Sequence, residues 1–141
     1  MKRISEFRLA IFVLLAAALA ASAADVKVIA NPSVASSSIS ADELKGVFLV
    51  TKTTLSDGSH VEPVLAKGGS AHETFVKEYV GKTPAALETY YRSLVFTGKA
   101  SMPKSAASDA EITAYVAKTK GAIGYVGANA ATAGVKVLDV K

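Results

Sequence analysis

The sequence predicts an α/β fold, a mixed sheet of about four or five strands flanked by four helices. Three observations carry this expectation. Short strand-like apolar runs alternate with helix-like spacings from residue 26 to residue 140. Four helix starts carry capping signals. The chain has 141 residues, 50% apolar and 20% charged, which suits one globular domain and leaves no room for two of ordinary size.

Taken in order, Val26 to Ala30 reads as a strand that ends at Asn31-Pro32, and a Ser-rich loop follows from Ser33 to Ser38. A first helix spans Ala41 to Leu49, with Leu44, Val47 and Phe48 on one face. Asp57-Gly58 marks a tight turn before a second strand, Val61 to Ala66. Helical patterns cover 71–80 and 84–96, the latter placing Leu87, Tyr90, Tyr91, Leu94 and Val95 at i, i+3, i+4, i+7 and i+8. A loop holding Gly98 and Pro103 leads to a fourth helix at 109–118, with Ile112, Tyr115 and Val116 facing inward. Two strands close the chain, Ala122 to Val126 and Val135 to Val140. Ser40-x-x-Glu43, Ser70-x-x-Glu73 and Ser108-x-x-Glu111 match the capping box, and Thr83-Pro84 places Pro at a first helical position.

The N-terminus has a different character. Lys2, Arg3 and Arg8 precede an apolar run from Leu9 to Ala24, which contains Ala21-Ser22-Ala23, the small-residue pattern of signal peptidase sites. The run counts 16 residues, below the roughly 18–20 that span a bilayer. Residues 1–23 therefore read as a cleaved secretory signal and 24–141 as a single exported domain, periplasmic or secreted. Cleavage removes three of the 16 bases and one of the 12 acids, leaving a net charge of +2 over 118 residues. Arg92 is then the one remaining Arg, and no basic block stands out, so nucleic-acid binding lacks its electrostatic footprint. Zero Cys excludes disulfides, thiolate metal sites and Cys nucleophiles.

Catalysis finds no motif: there is no HExxH, no GxSxG and no phosphate loop ending in Lys-Ser/Thr. His60 and His72 are the only histidines; they are too few for a metal site and are expected to be solvated surface residues. The expectation is a protein that is not an enzyme and has neither cofactor nor metal. Lys67-Gly68-Gly69-Ser70 has more to offer, because a strand runs into a flexible turn and then a helix start. First-turn amides and the positive end of a helix favour an anion there, with Lys67 adding charge and Thr74 a hydroxyl. The competing reading is a plain joint in which the Ser70–Glu73 capping box already uses those amides. In Gly121-Ala122-Ile123-Gly124-Tyr125-Val126, the two glycines suggest close backbone approach by a neighbouring element or a ligand. Tyr125 is either a wall of a site or part of the core.

These segments together resemble the substrate-binding proteins of phosphate ABC transporters, and more closely short exported relatives holding one lobe's worth of chain. The resemblance rests on VIANPSV (Val28 to Val34), VFLVTKTTLSDG (Val47 to Gly58), GGSAHETF (Gly68 to Phe75), LVFTGKASMP (Leu94 to Pro103) and KGAIGYV (Lys120 to Val126). It covers the chain from about 26 to 139. Val50-Thr51 stands where the family usually has Gly-Lys, and Leu55 where it has a turn Trp. In the family's ligand loop, Arg-x-Asp-Gly-Ser-Gly-Thr, Ala66 takes the Arg position, Gly68 the Asp position and His72 the Thr position. Gly69 and Ser70 carry over.

The resemblance implies a single lobe of the periplasmic-binding-protein type and an exported, non-catalytic solute-binding role. The implied ligand is phosphate or another oxyanion, held around Lys67, Gly68, Gly69, Ser70 and Thr74. A membrane permease, another periplasmic protein or a second copy of the chain is the implied partner. The alternative is a periplasmic interaction module that has kept the lobe and lost the ligand, with a surface including Tyr90, Tyr91 or the Ser33 to Ser38 loop.

Overall fold

The computed structural model describes residues 26–141, so the expected signal at 1–23 lies outside the described residues. Six strands form one sheet in the order β2-β6-β1-β5-β3-β4. They are β1 (Val26–Ala30), β2 (Ser38–Ile39), β3 (Glu62–Ala66), β4 (Lys104–Ala106), β5 (Ala122–Gly127) and β6 (Lys136–Val140). The central strand β1 runs antiparallel to both β5 and β6, while β3 pairs in parallel with β5 and β4. The expected mixed sheet is present, with two strands that the sequence reading treats as loop. Both β2 and β4 are short edge strands, two and three residues long, and neither has room for a legible alternation.

Four helices flank the sheet: α1 (Ala41–Phe48), α2 (Ser70–Phe75), α3 (Pro84–Phe96) and α4 (Asp109–Lys118). A π-helical turn, Val76–Val80, continues α2. On β5, successive side chains point to opposite faces. Gly124 faces α4, where an added Cβ would come within 3.0 Å of Ile112 and 3.4 Å of Val116, so α4 lies directly on the backbone. The glycine thus serves packing between elements. Tyr125 faces the other way, into Phe75 at 3.9 Å and Phe48 at 5.7 Å between ring centroids, and Phe48 meets Phe75 edge-on at 4.7 Å. Such aromatic pairs are worth about 0.5–1.5 kcal/mol each beyond their buried area.

The capping signals are realised in part. Ser40 and Ser108 accept from the amides of Glu43 and Glu111, and Thr83 accepts from that of Ala86. The reciprocal Glu contacts go elsewhere. Glu43 accepts from the amide and hydroxyl of Ser56, and Glu111 from the amide of Ala107. Helix α3 keeps its expected span, but its inward stripe is narrower than the spacing suggests. Leu87 and Tyr91 are buried, Tyr90 and Leu94 half-buried, and Val95 is 46% exposed.

Two helix ends explain otherwise opaque residues. Asn31 donates from Nδ2 to the carbonyls of Val116 (2.8 Å) and Ala117 (3.1 Å) at the end of α4, and its Oδ1 accepts from Ser33 N. A buried side chain thereby satisfies carbonyls that the helix leaves without partners. Replacing it, as Asn31→Ala, is expected to lower stability by about 1–3 kcal/mol, read as a shift in the urea midpoint.

Helix α1 ends in a Schellman arrangement, with Thr51 N donating to Gly46 O and Val50 N to Val47 O. The second of these donors, Val50, sits at φ +60, in the left-handed region. A β-branched side chain is strained there, and this is the position where the resemblance leads one to expect Gly. Val50→Gly is therefore expected to stabilise the fold by roughly 1 kcal/mol despite the added unfolded-state entropy, again by urea titration.

Candidate functional site

Strand β3 brings Val64, Leu65 and Ala66 into the core and leaves the sheet at Lys67. Lys67, Gly68, Gly69 and Ser70 are all exposed, which is where a ligand surface would have to be. Gly69 has φ +100 and ψ 169, a conformation open in practice to glycine alone. Nothing lies near the place a Cβ would take, so the backbone conformation, not crowding, demands glycine here.

This turn corrects one expectation. The N-cap of α2 is Gly69, not Ser70, and no side chain caps the helix. Ser70 is the first helical residue, one position too late for its hydroxyl to act as the cap oxygen. Glu73 N donates to Gly69 O at 3.1 Å, so the amides ahead of it in the first turn have no side-chain acceptor. The capping-box reading, which would have used those amides, does not hold at this helix.

The sequence-predicted site residues fall on two sides of the turn. Lys67, Gly68 and Gly69 line a cleft of about 430 Å³ that continues to His72, Glu73 and the first turns of α3. Ser70 and Thr74 line a second cleft, of about 490 Å³, opposite Asp109 and the Gly127–Ala130 loop. Asp109 is held in place by accepting from Gly127 N at 3.1 Å. The five residues thus surround one helix start without sharing one cavity, and a carboxylate faces the Ser70 side.

His72 overturns a second expectation. His60 is exposed, but His72 is 9% exposed and belongs to the interior face of α2 with Phe75 and Val76. Its Nδ1 lies 2.5 Å from the hydroxyl of Tyr125, which also accepts from Ala66 N at 3.0 Å. Tyr125 is fully buried, so its hydroxyl proton needs an acceptor, and Nδ1 is the one at hand. The network therefore assigns the imidazole proton to Nε2. Burial lowers the His72 pKa below its usual 6.5, with Glu73 opposing the shift weakly, while burial raises that of Tyr125 well above 10.

Sequence reasoning missed His72 and Asp109. A signal for His72 was present, since 72, 75, 76 and 79 follow the helical spacing and all but the first are plainly apolar or aromatic. For Asp109 there was none, because the proximity of α4 to α2 depends on the sheet. Among the described residues no group of three or more His, Cys, Asp and Glu side chains is placed to hold a metal ion.

With folded His72 kept neutral, the unfolded chain takes up a proton first as the pH falls through about 6.5. Stability present above that value is then lost progressively as the pH approaches the lower folded-state pKa. The urea midpoint is expected to fall between about pH 7.5 and about pH 5.5. The fall should be smaller in His72→Gln, which has no group titrating there.

No protein-family model matches the chain, and no curated protein matches it. Solved structures do. A putative phosphate ABC transporter substrate-binding protein with bound phosphate from Clostridium perfringens superposes with a TM-score of 0.61 at 16% identity. The match covers 82% of this chain and 44% of that one. PstS from Borrelia burgdorferi gives 0.58 at 14% identity, covering 83% and 47%. An ABC-type phosphate transport receptor from Vibrio cholerae gives 0.56 at 12%, covering 82% and 46%. The chain spans less than half the length of these proteins, and what it shares with them is the fold of a single lobe.

Proposed function

We propose that this protein is an exported, non-catalytic solute-binding lobe, periplasmic or secreted, that takes phosphate or a similar oxyanion at the start of α2. The observation that carries the reading is the uncapped helix start: Gly69 offers no side chain, so first-turn amides remain available beside the hydroxyls of Ser70 and Thr74. Lys67, on the same turn, adds a positive charge within the reach of a flexible side chain. The likeness to phosphate-binding structures supports the same reading at the level of the fold.

The site is weak by construction. It contains no Arg, and Asp109 brings a negative charge to the cleft that Ser70 lines. The match spans less than half of each of the three phosphate-binding structures, so in this reading a second copy or a separate partner supplies the opposing wall. That partner is a membrane permease or another exported protein. Light scattering with and without phosphate tests the second copy directly.

Calorimetric titration with phosphate and sulfate checks the oxyanion reading. Ser70→Ala is expected to weaken phosphate binding about tenfold, since a hydrogen bond to a charged ligand is worth about 1.5–3 kcal/mol. Asp109→Asn is expected to strengthen it, because the amide oxygen still accepts from Gly127 N while the like charge is gone. Absence of saturable heat in both the natural protein and Asp109→Asn would sink the reading.

One observation favours a second reading, an interaction module without a small ligand. Phe96 is 92% exposed, with Val95 at 46% and Met102 at 51%. An exposed aromatic with apolar neighbours suits a protein contact. The surface differs from the one expected from sequence. Tyr91 is buried and bonds to Phe48 O, and Tyr90 donates to Leu49 O at 2.6 Å. The loop from Ser33 to Ser38 is tied to Asp57, whose carboxylate accepts from Ser36 N and Oγ.

A further inference from the structure

The 430 Å³ cleft on the far side of the β3–α2 turn from Ser70 and Thr74 has the properties of a separate small-molecule site. It lies within the ordinary range for ligand pockets, roughly 300–1,000 Å³. Its wall is part polar and part apolar, the apolar part formed by Pro84, Met102 and Pro103 over the buried Leu87 and Tyr91. At its inner end stands His72, nine-tenths buried, whose Nε2 has no hydrogen-bond partner among the described residues. Among the described residues no buried side-chain nitrogen or oxygen is sealed off without a partner, so this Nε2 keeps some exposure, and His72 lines the cleft. With Nδ1 taken by Tyr125, the ring presents an N–H donor there. An unused donor in a cleft that also has an apolar flank suits a ligand with an acceptor head and an apolar body.

The charges at the lip narrow the class. Lys67 and Glu73 both line the cleft, and a third charged side chain, Glu88, is engaged by Arg92 at 2.5 Å. A simple carboxylate meets Glu73 as a like charge. A simple amine meets Lys67 and finds His72 offering a donor where it needs an acceptor. A zwitterion satisfies all three groups: its carboxylate accepts from His72 Nε2–H and Lys67, and its ammonium donates to Glu73. We propose that this cleft binds a free α-amino acid with an apolar side chain, the side chain lying along Pro84, Met102 and Pro103. The site is distinct from the oxyanion surface: the two lie on opposite sides of the turn and share one proposed ligand group, the Lys67 ammonium.

Calorimetric titration of the purified protein with L-leucine and L-phenylalanine tests the proposal, with glycine, phenylacetate and phenethylamine as comparators. Saturable binding of at least one of the two amino acids is expected, each comparator being weaker by about tenfold or more. Glu73 and Met102 are exposed or half-exposed, so Glu73→Gln and Met102→Asp test the site without disturbing the core. Glu73→Gln is expected to bring phenylalanine down towards phenylacetate. Met102→Asp is expected to weaken the amino acids about tenfold and leave phosphate unchanged. No saturable binding of either amino acid overturns the proposal, as does phenylacetate or glycine binding equally well. Indifference to both substitutions overturns it too. Phosphate titrated alongside, with Ser70→Ala, reports separately on the oxyanion reading.

Discussion

The hydroxyl of Tyr125 is the point on which the arrangement of this lobe depends. It is fully buried on the middle of the sheet, and its two hydrogen bonds reach Ala66 at the end of β3 and His72 on α2. The strand that leads into the turn and the helix that leaves it are therefore tied to one atom. The ring beneath stacks on Phe75 and meets Phe48, so α1 and α2 are packed against the same side chain. A polar group at this depth is costly unless fully paired, and full pairing constrains position more tightly than apolar contact does. The geometry of the turn and the tautomer of His72 both follow from it.

Helix ends carry the remaining order. The final carbonyls of α1 accept from the hydroxyls of Tyr90 and Tyr91, and those of α4 accept from Asn31. In each case an element distant in sequence supplies the partner, which turns local need into tertiary cohesion. The start of α2 is the exception. Its amides lack a side-chain partner, and both clefts meet at that place. An element left unfinished by its own sequence is the surface on which the proposed oxyanion reading rests.

Local signals were read well where they act locally. Ser40, Thr83 and Ser108 cap as their spacing implies, because a cap oxygen and its amide are three residues apart and need little else. Ser70 carries the same pattern and fails. Gly69, in a conformation other residues avoid, takes the cap position and moves Ser70 into the helix. Strand pairing shows the same limit. β2 and β4 exist because β6 and β3 offer edges in parallel register, not because their own residues demand extension. Val95 and Phe96 continue the apolar spacing of α3 beyond the point at which the sheet and neighbouring helices can cover it.

The amino-acid sequence by itself determined the order of the four helices and of β1, β3, β5 and β6, the α/β class, most helix starts and the glycine-bearing turn after β3. Periodicity and capping operate over a few residues, so a linear reading captures them. Only the tertiary structure decided which side of the turn each residue faces, that His72 bonds to Tyr125, and that Asp109 stands opposite Ser70. Those facts depend on the parallel pairing of β3 with β5 and on where α3 and α4 close over the sheet. Contacts made across the sheet bring together residues tens of positions apart, and no short-range pattern records them.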